Sequence, residues 1–167
     1  EQLAQVVIQR KQTYPEGKFL FIGYRNGLLD QLRSRLHIPS YRVGYGQDDA
    51  AINSYSKLAI CLDSVCKLLL DSITPNTTII FDEFEAILKH GTQSSTLGNK
   101  RAAVQAHMVA IINRVLSTGG VVIGLEDNLT DLAIDGILDL LDRKYPYEIL
   151  QNTMEKFHWD VKMGGGN

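Results

Sequence analysis

The sequence predicts an α/β domain built on a largely parallel sheet, and two observations carry the prediction. Four short apolar runs, Phe19 to Gly23, Leu58 to Leu62, Thr78 to Phe81 and Val121 to Leu125, are continuous rather than alternating. That is the pattern of strands covered on both faces. Between them lie stretches with apolar residues at helical spacing, so strands and helices alternate along the chain.

The elements follow in order. Leu3, Val6 and Val7 suggest a helix already under way at the N-terminus. After the first strand, Leu28, Leu29, Leu32 and Leu36 fall on one helical face. Arg42 to Asn53 is glycine-rich and polar and reads as a loop. After the second strand, Val65, Leu68 and Leu69 start another stripe, with Ser64 placed to cap it. Gly91 to Asn99 has no apolar periodicity and reads as a mobile loop, which Lys100 and Arg101 extend. Val104, Met108, Ile111, Ile112 and Val115 make the longest stripe. Ile134, Ile137, Leu138 and Leu141 make the last one, with Asn128 and Thr130 as candidate caps. The stretch from Tyr147 to Val161 contains Phe157 and Trp159 but is too short for a domain, and Gly164 to Asn167 reads as a frayed tail. The expected organisation is therefore one domain over 1–146 and the start of a further segment over 147–167.

Composition removes several function classes. The 17 Lys and Arg against 19 Asp and Glu leave a net charge of −2, which is not the footprint of a stand-alone nucleic-acid binder. No apolar run reaches the length of a bilayer span and no signal peptide opens the chain, so no membrane partner is expected and the composition reads as that of a soluble, cytoplasmic protein. Cys61 and Cys66 lack the spacing and companions of a zinc site and read as reduced core thiols. His37, His90, His107 and His158 are scattered, with no pair at helical metal-ligand spacing.

In an open parallel sheet, ligands bind at the carboxyl ends of the strands. There stand Tyr24, Arg25 and Asn26 after the first strand, Asp63 and Ser64 after the second, Asp82, Glu83 and Glu85 after the third, and Glu126, Asp127 and Asn128 after the fourth. An apolar strand ending in two adjacent acids suits nucleotide hydrolysis. Asp82 would hold the hydrated Mg²⁺ and Glu83 would orient or deprotonate the attacking water. Acids at a helix N-terminus also complement the dipole with no metal at all. Arg25 reads either as a nucleic-acid phosphate contact or as a surface partner of Asp30, and Ser64 as a cap that also reaches phosphate. Glu126, Asp127 and Asn128 read as a nucleotide sensor or coupling element, against the simpler role of Asn128 as a helix cap. A phosphate-binding loop is missing: Gly17-Lys18 is followed by Phe19, and Gly98-Asn99-Lys100-Arg101 lacks the glycine spacing and the hydroxyl.

The ordered set Arg25, Asp63-Ser64, Asp82-Glu83 and Glu126 resembles motifs Ia, Ib, II and III of superfamily 2 helicases. The wording around them (Phe19-Leu-Phe-Ile-Gly-Tyr-Arg25-Asn-Gly, Leu58-Ala-Ile-Cys-Leu-Asp63-Ser64, Thr78-Ile-Ile-Phe-Asp82-Glu83-Phe-Glu85, Val121-Val-Ile-Gly-Leu-Glu126-Asp127-Asn128) is similar to origin-of-replication-binding helicases. Within those it is similar to the cyanobacterial plasmid replication protein family. The resemblance implies a three-layer P-loop NTPase domain, the first of two helicase domains, truncated at its N-terminal strand with the phosphate-binding loop just upstream of residue 1. It implies Asp82 as the Mg²⁺ residue, Glu83 as the water-activating one, and Arg25 and Ser64 facing single-stranded DNA. Relatives carry Asp at the positions of Glu126 and Asn128, and many helicases have His where Glu85 stands. It also places the motif III strand between the motif II strand and the phosphate-loop strand, so that Val121 to Leu125 becomes an apolar edge open to self-association or to cover by the C-terminal segment.

The expected function is accordingly that of a piece of a DNA-dependent ATPase acting in plasmid or origin replication. Mg²⁺ and ATP would be used by the parent and not bound tightly by this piece, which would be nearly inert alone. The alternatives are a non-catalytic DNA- or protein-binding scaffold and a Mg²⁺-dependent nuclease or primase-like domain, the latter using Asp82, Glu83, Glu126 and Asp127 as one metal cluster.

Overall fold

A computed structural model describes residues 2–38 and 49–149. Four parallel strands, β1 (Phe19–Gly23), β2 (Lys57–Cys61), β3 (Thr78–Asp82) and β4 (Val121–Leu125), form one sheet in the order β2-β1-β3-β4. The helices are α1 (Gln2–Thr13), α2 (Asn26–Leu36), α3 (Asp49–Ser54), α4 (Phe84–Gln93), α5 (Arg101–Ser117) and α6 (Asp131–Leu140). Successive residues of each strand face opposite sides, and each side has its own core. Leu20, Ile22, Leu58, Ile60, Ile79 and Phe81 pack with Ile87 of α4 and the Val104, Met108, Ile111, Ile112 and Val115 stripe of α5. Phe19, Phe21, Ala59, Cys61 and Ile80 pack with Val7 of α1 and Leu29 of α2. Helices thus cover both faces of an all-parallel sheet. Phe19, Phe21 and Phe81 are among the side chains most completely removed from water, at roughly 1.5–3 kcal/mol each.

The continuity of the apolar runs is explained for three strands and needs correction for the fourth. β1, β2 and β3 are buried almost throughout, whereas β4 is only half-buried. The reason is its place: β4 pairs with β3 alone, and among the described residues nothing pairs with its other edge. The cover that the sequence led us to expect over this edge is not seen among them, and residues 150–167 lie outside the described chain.

Three local expectations are overturned. The stripe begun by Val65 does not make an α-helix: Leu62–Lys67 and Leu70–Ser72 are two short 3-10 turns, with Val65 and Leu68 buried and Leu69 exposed. Ser64 sits inside the first of these turns and does not cap it; the N-cap position is Cys61, and no side chain caps the turn. What holds this connection is Asn53, whose amide oxygen accepts from Leu69 N–H at 2.7 Å and Ser72 Oγ at 2.8 Å while its Nδ2 donates to the Lys67 carbonyl at 3.0 Å. The Leu69 N–H and the Lys67 carbonyl are backbone groups that a longer helix would have satisfied internally. Asn53 itself lies in α3, a helix in what reads as a loop; positions 42–48 of that stretch are outside the described residues. The stretch from Gly91 is not one mobile loop either. α4 continues to Gln93, a 3-10 turn spans Gly98–Lys100, and Arg101 opens α5 with its guanidinium donating to the Ser94 carbonyl at 2.7 Å.

At the other end of α5, Thr130 rather than Asn128 caps α6, its Oγ1 accepting from Ala133 N–H at 3.3 Å. Cys61 is buried and in no disulfide, as expected, with its Sγ donating to the Tyr24 carbonyl at 3.6 Å, but Cys66 is exposed. His107 is satisfied by the Leu68 carbonyl at 2.7 Å.

Candidate functional site at the carboxyl edge of the sheet

Strand order decides which strand ends become neighbours. β3 lies between β1 and β4, with Ile22 level with Phe81 and Asp82 level with Leu125. The residues after these positions therefore meet: Tyr24 and Arg25 from β1, Asp82 and Glu83 from β3, Glu126 from β4. Ser64 follows β2 on the far side of β1.

Asp82 ends β3 half-buried. Burial pushes its carboxyl above the ordinary aspartate value of about 3.8, and the neighbouring Glu83 and Glu126 charges push further, against a lowering by the Glu83 backbone hydrogen bond. Glu83 then turns the chain. It is the N-cap residue of α4 in the left-handed conformation, φ 56° and ψ 60°, which costs a residue with a Cβ about 1 kcal/mol or more. Its carboxylate reaches sideways, where Oε2 accepts from the Tyr24 hydroxyl at 2.9 Å. Burial, that bond and the Glu83 charge raise the Tyr24 phenol above its ordinary value.

Glu83 uses no side-chain atom to cap its own helix. The cap comes from the next strand: Glu126 Oε2 accepts from Glu85 N–H at 3.0 Å and its Oε1 from Asp127 N–H at 3.1 Å. A carboxylate at a helix N-terminus satisfies an orphan amide and complements the dipole. Glu85 in turn accepts from Thr130 Oγ1 at 3.0 Å and pairs with Lys89 at 2.7 Å, so α4 is tied both to the end of β4 and to the start of α6. The Phe84 ring fits over β4 because Gly124 has no side chain; a Cβ there would lie 3.0 Å from Phe84 Cγ.

Of the residues singled out in the sequence, Asp82, Glu83 and Glu126 come together with Arg25 one strand away. Asp127 and Asn128 are exposed beyond Glu126, and Ser64 is half-buried in its 3-10 turn. Arg25 is exposed, occupies the N-cap position of α2, and stacks over the Tyr24 ring at 4.9 Å. Among the described residues it forms no ion pair with Asp30. No group of three or more His, Cys, Asp or Glu among the described residues is arranged to hold a metal ion. The four-acid cluster required by the nuclease reading is thus not assembled there, and Glu126 is engaged on two backbone amides instead. Two contacts lacked a sequence signal of their own. Tyr24 was visible only as the residue before Arg25, and the 2.6 Å pair between Asp63 and His90 joins residues 27 positions apart.

The Asp82 charge gives a signed expectation. Because its folded-state pKa is raised, the stability due to this group is present below about pH 3.8 and is lost as pH rises through the folded value. At pH 7 the ionised carboxylate opposes folding. Asp82→Asn is expected to stabilise the protein at pH 7 by less than about 1 kcal/mol, since solvent screens this half-exposed carboxylate, with the gain fading in acid, as thermal melts across pH will show. If Asp82 holds Mg²⁺, millimolar Mg²⁺ raises the melting temperature of the wild type and not of Asp82→Asn. Equal melts at every pH contradict the electrostatic account.

Set against protein-family models, curated proteins and solved structures, the chain matches none.

Proposed function

We propose that this domain is the motif II half of a helicase-type, DNA-dependent ATPase acting in plasmid or origin replication. The observation that carries the reading is the junction of Asp82 and Glu83 with Tyr24-Arg25 on one side and Glu126 on the other. A half-buried aspartate that pairs with no cation among the described residues, in the field of two further acids, suits a hydrated divalent cation that needs a single protein carboxylate. Asp82 is the residue for it. Glu83, projected from a left-handed turn, is the group for the water. The residues present fit Mg²⁺; they do not include a cradle for the phosphates of ATP, because the sequence contains no glycine-rich phosphate-binding loop. Nucleotide binding therefore needs residues beyond this sequence. Arg25 and the helix it opens form the nucleic-acid side, and Glu126, by capping α4, is the element through which β4 and the motif II turn move together.

Binding of a single-stranded oligonucleotide by this chain, followed by fluorescence anisotropy over a range of salt, tests the nucleic-acid side. Weak, salt-sensitive binding is expected, in keeping with the net charge of −2. Arg25→Ala is expected to weaken it and to flatten the log K against log salt slope by about 0.7, the loss of one phosphate contact on a single strand. An unchanged slope removes Arg25 from the interface.

A further inference from the structure

Tyr24 belongs to neither of the two roles assigned around it, yet it touches both residues that carry them. Its hydroxyl donates to Glu83 Oε2 at 2.9 Å. One ring contact is the Arg25 guanidinium, 4.9 Å from the centroid, and another is the His90 ring at 5.8 Å and 47°. His90 is itself held, its Nε2 2.6 Å from Asp63 Oδ1, and Asp63 Oδ2 accepts from Thr96 Oγ1 at 3.3 Å. The ring therefore rests on a fixed partner and carries an exposed one.

We propose that Tyr24 is a positioning residue that couples a nucleic-acid phosphate at Arg25 to the carboxylate of Glu83. The inference rests on the function proposed above. With Arg25 free, its positive charge over the ring polarises the phenol and strengthens the hydrogen bond to Glu83. That bond occupies Oε2 and fixes the carboxylate. A phosphate that neutralises the guanidinium or draws it off the ring weakens the donor, and Glu83 is released to accept from water. The ligand class is a single-stranded nucleic-acid backbone, recognised through its charge and without base readout.

The test uses the 167-residue chain itself, labelled with ¹³C at glutamate Cδ and tyrosine Cζ, titrated with a thymidine oligonucleotide and followed by NMR. Glu83→Gln and Tyr24→Phe assign the two signals. In the wild type, Glu83 Cδ and Tyr24 Cζ are expected to move along the same isotherm as oligonucleotide binding. In Tyr24→Phe the Glu83 signal is expected to be displaced before any ligand is added, and the oligonucleotide-induced movement to be lost while binding persists. Binding with a stationary Glu83 signal in the wild type overturns the coupling and leaves the nucleic-acid reading standing. The same ligand-induced movement in Tyr24→Phe also overturns it. Absence of binding overturns the nucleic-acid reading, and the coupling with it. If Tyr24→Phe fails to fold, the Glu83 signal, assigned by Glu83→Gln, still decides: a wild-type Glu83 signal that stays still as the oligonucleotide binds contradicts the proposal.

Discussion

Gly120→Ala is expected to destabilise the domain by about 3 kcal/mol, the upper part of the range for overpacking, whereas Gly136→Ala is expected to stabilise it by about 0.5–1 kcal/mol, the gain of removing a helix-interior glycine. The two substitutions add the same methyl group. At Gly120 a Cβ would lie 2.3 Å from the Thr77 carbonyl oxygen, 2.5 Å from Val115 Cγ1 and 2.8 Å from the Val115 carbonyl oxygen, two of them backbone atoms that do not move aside cheaply. The residue stands where α5 turns into β4, with Gly120 N–H donating to the Val115 carbonyl at 2.9 Å and Val121 N–H to the Thr77 carbonyl at 3.0 Å. Relief of the clash therefore pushes the start of β4 away from β3. At Gly136, in α6, a Cβ meets nothing within 4 Å. Chemical denaturation of both variants checks the pair. A Gly120→Ala protein as stable as the wild type contradicts the packing described here, and one that also loosens Glu126 from α4 ties the β4 edge to the site.

Glu83→Gln is expected to lower ATP hydrolysis by about 10²–10⁴, the usual contribution of a positioned general base, in a protein that carries this domain together with a phosphate-binding loop. The substitution keeps the shape and an acceptor for the Tyr24 hydroxyl, 2.9 Å from Oε2 in the wild type, so the fold and single-stranded DNA binding are expected to persist. Rates and binding curves measured on the same preparation separate the two effects. A Glu83→Gln protein that hydrolyses ATP at the wild-type rate removes the proposed role of this acid.

The sheet was legible because its strands are short, apolar and bounded. β1 and β4 begin and end where the apolar runs do, and the α5 stripe is buried at all five of its apolar positions. The parallel sense of the sheet was legible in that pattern, but strand order was not, and the edge position of β4 was expected only from the resemblance. Val121 to Leu125 is as apolar as Phe19 to Gly23, yet β4 is half-exposed, since a run of hydrophobic residues records what a strand can bury and not how many neighbours it has. The 3-10 turns after β2 were illegible for another reason. Val65 and Leu68 have helical spacing, but the segment is held by Asn53 from a distant part of the chain, and periodicity does not register such partners.

The candidate site divides in the same way. Asp82 and Glu83 announce themselves as acids closing an apolar strand. The left-handed turn at Glu83 does not, because glutamate has no preference for it and the surrounding structure imposes it. Glu126 stood out by position, but its job on the Glu85 amide required the register of β3 with β4. Tyr24 became a participant only once β1 and β3 were neighbours.

ATP hydrolysis with and without single-stranded DNA, by a protein that joins this domain to a phosphate-binding loop, tests the proposed function. Hydrolysis that requires Mg²⁺ and rises when single-stranded DNA is added is expected. DNA binding with no hydrolysis under any of these conditions would contradict it and identify the domain as a binding scaffold.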